Sequence, residues 1–234
     1  ADDARAMVDA ARPMVSDIFR DRFNSHVLAI APYPPQVVFC NAEISNLADL
    51  EGLKVRASGR MTALLLEALG AEGVNVSFSE VPGALQKGVV DCAVTGAGSG
   101  YSAGWWEVST HLLPIPLGGW DPVVTAINLD KWNGMSAEDQ AVITSEIVTG
   151  FEDPAWASAQ GALVNDVACL TGNGDCQGGD ARSMTLVEVS DADFERARDI
   201  LTTEVLPDWA ERSGGDWATR WNDSVGTVVG VSIK

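Results

Sequence analysis

The 234 residues predict an α/β fold, and three observations carry that prediction. Short apolar runs of strand length alternate with segments of helical period between Val27 and Thr95. Gly70 and Gly88 stop two of those helical segments where the next strand must begin. A succession of strand, helix and strand builds a largely parallel sheet.

The elements follow in chain order. Met7, Val8, Ala11, Met14, Val15, Ile18 and Phe19 recur at helical spacing and predict a helix over 1–23. Val27 to Ala31 reads as a strand, Pro32 to Pro35 as a turn, and Gln36 to Asn41 as a second strand. Ser45 to Glu51 has the composition of a capped turn, and Leu53 to Arg56 is the next strand. Ser58 or Gly59 caps a helix from Arg60 to Leu69, after which Val74, Val76 and Phe78 alternate as a strand. A helix over 82–87 leads to a strand over 89–95 and then to Gly96-Ala97-Gly98-Ser99-Gly100, read as a tight turn. Val123 to Leu129 is strand-like. Ser136 with Asp139 opens a helix carrying Val142, Ile143 and Ile147, and Asp191 to Trp209 forms a further helix.

Composition excludes several classes. With 46% apolar residues and mean hydropathy near zero the chain is globular, and no apolar run approaches the length of a membrane span. The first residues lack a basic n-region and apolar h-region, so the sequence reads as a soluble chain or the processed part of one. A formal charge of −18 opposes nucleic acid and anionic membranes. Two histidines, His26 and His111, and four cysteines starve metal and thiol chemistry of ligands; no metal and no cofactor is expected. Cys169 and Cys176 flank a turn-rich hexapeptide that can bring them to disulfide distance, with two free thiols in a surface loop as the alternative. A disulfide there points to an oxidising compartment.

Gly100-Tyr101-Ser102-Ala103-Gly104 fits the G-x-S-x-G pattern of serine hydrolases. The only downstream histidine is His111, with Glu107 the only acid between, too close together for separate strand ends to deliver a triad. Ser102 as a nucleophile is therefore the weaker alternative, and no catalytic residue is expected. Arg56 ends a predicted strand just before a helix N-terminus, where α/β sheets bind anions and a guanidinium pairs a carboxylate bidentately. A surface arginine paired with a neighbouring carboxylate is the competing reading. Thr95 ends another strand and can converge with Arg56 on one sheet edge. Trp105, Trp106 and Trp120 add aromatic surface, for which packing is the simpler role.

Leu47 to Arg56, Leu69-Gly70-Ala71, Phe78-Ser79-Glu80-Val81, Ala84-Leu85-Gln86 with Gly88, and Val90-Asp91 resemble, in order and spacing, the extracytoplasmic solute-binding proteins of TRAP transporters, the DctP-type family. The likeness runs from about Ala31 to Ile147 and includes Asn128, Trp132 and Ser136 to Gln140. It implies a two-lobed periplasmic-binding-protein-like fold, with mixed, mainly parallel sheets flanked by helices and a long connecting helix, closing on an organic acid. Residues 1–31 and 124–162 would form parts of the first lobe, 32–123 the second lobe, and 163–234 C-terminal helices packing across the lobes. Family members carry a β/α segment ahead of the point where this chain begins, so the N-terminal part of the usual first lobe is expected to be absent.

The resemblance assigns Arg56 to the carboxylate clamp, Phe78 to the cleft wall, Thr95 and Gly59 to polar contacts and Trp120 to the hinge edge. A second basic residue of the family falls at about Gln36, which favours a monocarboxylate. Pro32 to Cys40 and Asp91 to Gly96 resemble a branch that binds aromatic acids, with Tyr33 or Phe39 joining Phe78 and Trp120 around the ring. The same likeness leaves open a second disulfide between Cys40 and Cys92 or two buried free thiols. The expected function is a monomeric periplasmic receptor, not an enzyme, that captures a small organic carboxylate and delivers it to the membrane subunits of a TRAP transporter. A ligand-sensing module of the same fold is an alternative, as are sugar acids, 2-oxo acids and dicarboxylates among ligands.

Overall fold

The computed structural model describes residues 2–117 and 120–233; Gly118 and Gly119 of the Leu117–Asp121 segment lie outside the described residues. In chain order, α1 (Asp2–Phe23) leads into β1 (Ser25–Tyr33) and β2 (Gln36–Cys40), and a 3-10 turn at Leu47–Leu50 precedes β3 (Lys54–Ala57). Then come α2 (Arg60–Ala68), β4 (Glu72–Asn75), a 3-10 turn at Phe78–Glu80, α3 (Val81–Gln86), β5 (Cys92–Gly96) and α4 (Ala97–Ser102). A 3-10 turn at Trp105–Glu107, β6 (His111–Leu113) and β7 (Asp121–Asn128) follow, then α5 (Leu129–Asn133), α6 (Ala137–Ile147) and α7 (Asp153–Thr171). Last are β8 (Thr185–Leu186), α8 (Asp191–Ile200), α9 (Leu206–Ser213), α10 (Trp217–Trp221) and α11 (Thr227–Val229). Among the described residues no helix is long and apolar enough to cross a membrane.

The chain divides into two compact units. The first holds Ala1–Tyr33, Trp120–Gln160 and Ser213–Lys234; the second holds Pro34–Gly119 and Gly161–Arg212. The long helix α7 contributes residues to both, and the C-terminal stretch parts at Ser213.

In the first unit β1 and β7 pair antiparallel from Ser25 opposite Asn128 to Tyr33 opposite Asp121, with a bulge between Val27 and Ala29. Ala4 and Val8 of α1 pack on Ile30 and Trp156. The Trp156 indole N–H donates to the Ile30 carbonyl at 2.9 Å. A π turn at Val148–Glu152 joins α6 to α7 and ends on the buried Glu152, which accepts from the Ile30 N–H at 3.0 Å. His26 stacks on Trp132 at 4.2 Å, and burial pushes its imidazole below the ordinary value. That is a packing role for one of the two histidines.

The second unit is built on a six-stranded sheet of order β4-β3-β5-β2-β6-β8. It is mixed: β3 runs parallel to β4 and β5, and β6 to β8, whereas β2 is antiparallel to both β5 and β6. Strand alternation sends Val38, Cys40, Val55, Cys92 and Val94 to one face, against Leu65 and Leu66 of α2 and Ile200 of α8. Val37, Phe39, Ala93 and Leu112 face the other way, against Val81 and Leu85 of α3 and against Trp105. Both cysteine pairs are joined. Cys169–Cys176 closes the short turn read from the sequence, and Cys40 and Cys92, directly opposite in the β2–β5 register with Cα atoms 4.0 Å apart, form the second bridge.

Several sequence expectations are corrected. β4 ends at Asn75, and Phe78 opens a 3-10 turn instead of closing a strand. Gly96 to Gly100 is not a tight turn, because α4 starts at Ala97; a Cβ on Gly100 would run into the Phe39 ring and one on Gly98 into the Asp166 carboxylate. Gly100 lets α4 lie close over the sheet, and Gly98 lets α7 come close to α4. The turn near Ser45 is capped by Asn46, whose side chain accepts from the Ala48 and Asp49 N–H groups. The helix expected over 191–209 runs as α8, a π turn at Leu201–Val205 and α9.

α8 begins in a capping box: Ser190 and Asp193 exchange bonds, and Asp193 also accepts from the Leu47 N–H at 3.2 Å. Burial of Asp193 opposes its charge, yet the Ser190 N–H and hydroxyl, the Leu47 N–H and nearby Arg196 hold it below the usual carboxylate range. A depressed folded-state value contributes stability that is present above the unfolded value near 4 and disappears as pH falls through the folded one. Asp193→Asn should therefore cost about 1–2 kcal/mol at neutral pH, with the deficit shrinking below about pH 4. Urea unfolding across that range checks it; a deficit independent of pH would assign the effect to packing.

Candidate functional site

β3 and β5 run parallel and β2 runs against β5, so the C-terminal ends of β3 and β5 and the start of β2 share one edge of the sheet. Three of the sequence-predicted residues lie there and are buried: Arg56 at 8% exposure, Thr95 at 3% and Gln36 at 4%. Arg56 is opposite Ala93 in the β3–β5 register, and alternation places Thr95 on the same face two residues further on. The Arg56 guanidinium donates from Nε to the Val76 carbonyl at 3.0 Å and from Nη1 to the Val94 carbonyl at 2.8 Å. It is thus no surface side chain, and its plane is set by backbone on both flanks. Gln36 reaches the edge from the opposite face, alternating with Val37.

Gly59 ends the loop after β3 and opens α2; nothing lies within 4 Å of where its Cβ would be. With Ala57, Ser58, Arg60 and Asn75 it lines a recess of about 340 Å³ at the helix N-terminus, where unpaired N–H groups favour an anion. Phe78 is 42% exposed, leans on Trp105 at 5.1 Å, and lines a second recess of about 410 Å³ with Gly98, Ser99 and Ser102. Asp166 of α7 stands behind Gly98. Burial raises its carboxyl above the ordinary range, against hydrogen bonds from the Asn165 side chain and the Gly98 N–H.

Other predicted residues fall elsewhere. Phe39 is fully buried, edge-on to Trp105 at 5.5 Å, so its ring belongs to the core and not to a ligand wall; it shares its strand face with Val37, which already points inward. Tyr33 ends β1 and Trp120 precedes β7, both in the first unit, where Trp120 lies 6.3 Å from Trp156. Ser102 is the exposed last residue of α4, six positions beyond the end of β5, so it does not sit on the sharp strand-to-helix turn a nucleophile needs. Sequence reasoning expected one of Trp105 and Trp106 in the core; the structure makes it Trp105, the buried platform under Phe78. The signal was their adjacency, since only one of two adjacent Trp residues can face the core. Among the described residues no group of three or more His, Cys, Asp or Glu side chains is arranged to hold a metal ion.

The model of the bacterial extracellular solute-binding protein family 7, DctP, matches residues 15–151. The chain belongs to this family. A relative, the ectoine-binding periplasmic protein TeaA of Halomonas elongata, is 27% identical over 133 residues, 55% of this chain and 39% of the relative. The match thus spans well under half of that curated protein. The solved structure of the ectoine-binding protein of the Halomonas elongata TeaABC TRAP transporter superposes with a TM-score of 0.81 at 20% identity, covering 99% of this chain and 73% of that one. A marine-metagenome TRAP solute-binding protein specific for pyroglutamate gives 0.77 at 22% identity, covering 98% and 70%. One from Desulfovibrio salexigens with bound orotic acid gives 0.79 at 18%, covering 96% and 71%. At these identities the structures establish the shared fold. Family 7 is a family of bacterial extracellular solute-binding proteins, so the likeness to solute-binding proteins read from the sequence is borne out.

Proposed function

We propose that this chain binds a small organic carboxylate at the Arg56 edge of its six-stranded sheet and serves a TRAP transporter in the periplasm. The observation that carries the reading is Arg56: a buried guanidinium fixed by two backbone carbonyls, beside Thr95 and the start of α2, in a chain of net charge −18. Local positive potential there opposes the general field of the protein, and a preorganised fork spends little entropy on gripping a carboxylate. Two disulfides fit an oxidising compartment. Within the class, an aromatic monocarboxylate is the ligand we favour, because the exposed Phe78 ring offers an apolar contact and Gln36 supplies no second positive charge.

Thermal melting against aromatic, sugar, 2-oxo and dicarboxylic acids tests the proposal, since a ligand at about a thousand times its dissociation constant adds roughly 4 kcal/mol. Shifts confined to aromatic monocarboxylates are expected. Shifts with sugar acids or dicarboxylates alone would keep the receptor and discard the aromatic ligand. Arg56→Ala should weaken the best acid by about 2–4 kcal/mol in calorimetry. Unchanged affinity would remove Arg56 from the site.

A further inference from the structure

The opposite end of the same sheet holds a separate arrangement. β6 starts where β2 finishes, with His111 opposite Cys40, and β8 starts beside it with Thr185 opposite His111. A recess of about 730 Å³ opens at this end, lined among others by Trp106, Glu107, Ser109 and Arg182. It falls within the size range of small-molecule sites.

Arg182 is placed with some care. Its guanidinium carbon sits 4.0 Å from the centre of the Trp106 ring and 5.5 Å from that of Tyr101. The backbone on either side is tied to the end of α7, Arg182 N–H to the Cys169 carbonyl at 2.6 Å and Met184 N–H to the Leu170 carbonyl at 3.1 Å. Tyr101 Oη both donates to the Asp180 carbonyl at 2.8 Å and accepts from the Asp180 N–H at 2.9 Å, and Trp106 Nε1 donates to the Tyr101 carbonyl at 3.2 Å. Aromatic stacking covers a guanidinium face and leaves its edge for in-plane bonds.

Among the described residues those bonds are not made: the buried Nε of Arg182 has no acceptor, and the Ser109 hydroxyl, on a side chain only 6% exposed, has no partner either. Glu107 lines the same recess without forming an ion pair with Arg182 among the described residues. Opposite charges facing one cavity without meeting leave room for a molecule that satisfies both. We infer that this recess is a second binding site, taking a small zwitterion whose carboxylate meets Arg182 and Ser109 and whose ammonium group meets Glu107. It does not depend on the Arg56 edge.

The test is a titration of the full isotope-labelled chain, read at the Trp106 indole N–H resonance, which Trp106→Phe assigns. The probes are L-norvaline, pentanoate, which lacks its amine, and butylamine, which lacks its carboxylate. L-Norvaline should move that resonance at millimolar concentration, with pentanoate and butylamine each about tenfold weaker. Arg182→Met, which keeps a long side chain over the rings, should weaken L-norvaline about tenfold or more, and Glu107→Gln should bring L-norvaline down to the level of pentanoate. If Arg182→Met fails to fold, Arg182→Lys keeps the charge without the fork and should still weaken binding several-fold. A Trp106 resonance unmoved by L-norvaline, or moved equally in Arg182→Met or in Arg182→Lys, would overturn the site. Equal binding of L-norvaline and pentanoate would overturn the zwitterion. Repeating the titration in Arg56→Ala separates the two ends: the Trp106 response should persist there whether or not the carboxylate proposal holds.

Discussion

Replacing Cys40 and Cys92 together by Ala should lower stability by about 4 kcal/mol, and the same change at Cys169 and Cys176 by only about 2 kcal/mol. The difference comes from the unfolded chain. The first bridge closes a loop of sequence separation 52 and the second one of 7, and the conformational freedom removed from the unfolded state grows with loop length. Location adds to it. Cys40 and Cys92 are wholly buried and clamp β2 to β5, the two central strands that carry Gln36 and Thr95 at their other ends. Cys169 and Cys176 hold a surface turn beyond α7. Guanidinium unfolding of the two double variants under non-reducing conditions measures both, and equal losses would show that local native contacts, not chain closure, set the contribution of each bridge. Mild reductant should open Cys169–Cys176 first, because Cys176 is partly exposed and the other pair is not.

Much of the second unit was readable because its signals are local. The helix α2 is bounded within a dozen residues by a strand end and by Gly70, and α6 is announced by Ser136, whose hydroxyl accepts from the Asp139 N–H. Arg56 was legible for a related reason: strand end, helix start and scarcity of basic residues all fall within a short window. Phe39 was misplaced although alternation with Val37 and Val38 contained the answer, since a residue two positions from a core valine points with it. Phe78 looked like a strand residue because Val74 and Val76 share its period; its exposure depends on the chain turning after Asn75, which no Gly or Pro marks. The resemblance implied a long connecting helix, but the residues themselves did not place α7 at Asp153–Thr171. Ala, Ser and Gly are spread around all its sides, so it has no apolar stripe to announce it.

The least legible feature is Glu152, and Glu152→Ala should cost the first unit about 3 kcal/mol or more. Nothing near it in the sequence marks a buried carboxylate, because its partners are 122 to 147 positions away. It accepts the Ile30 N–H of β1 and is bonded by Arg12 of α1, with Arg5 of α1 at 3.3 Å. A π turn holds one residue more than an α turn, which rotates the following helix face by about 100° and delivers the last residue of that turn inward. Removal of the carboxylate strands a strand N–H and takes the buried partner from Arg12 and Arg5, which keep only the exposed carboxylates of Asp9 and Asp153. Both arginines are about 30% exposed and can regain water, which keeps the loss below that of a fully buried pair. Glu152→Gln keeps an acceptor for Ile30 but no charge, and should cost about 1–2 kcal/mol. Arg12→Met should cost less again, since Arg5 remains. Urea unfolding orders the three variants. If Glu152→Ala lay within about 1 kcal/mol of the natural sequence, apolar packing such as that of Ala4 and Val8 on Ile30 and Trp156, and not the buried carboxylate, would hold α1 to the β1–β7 ribbon.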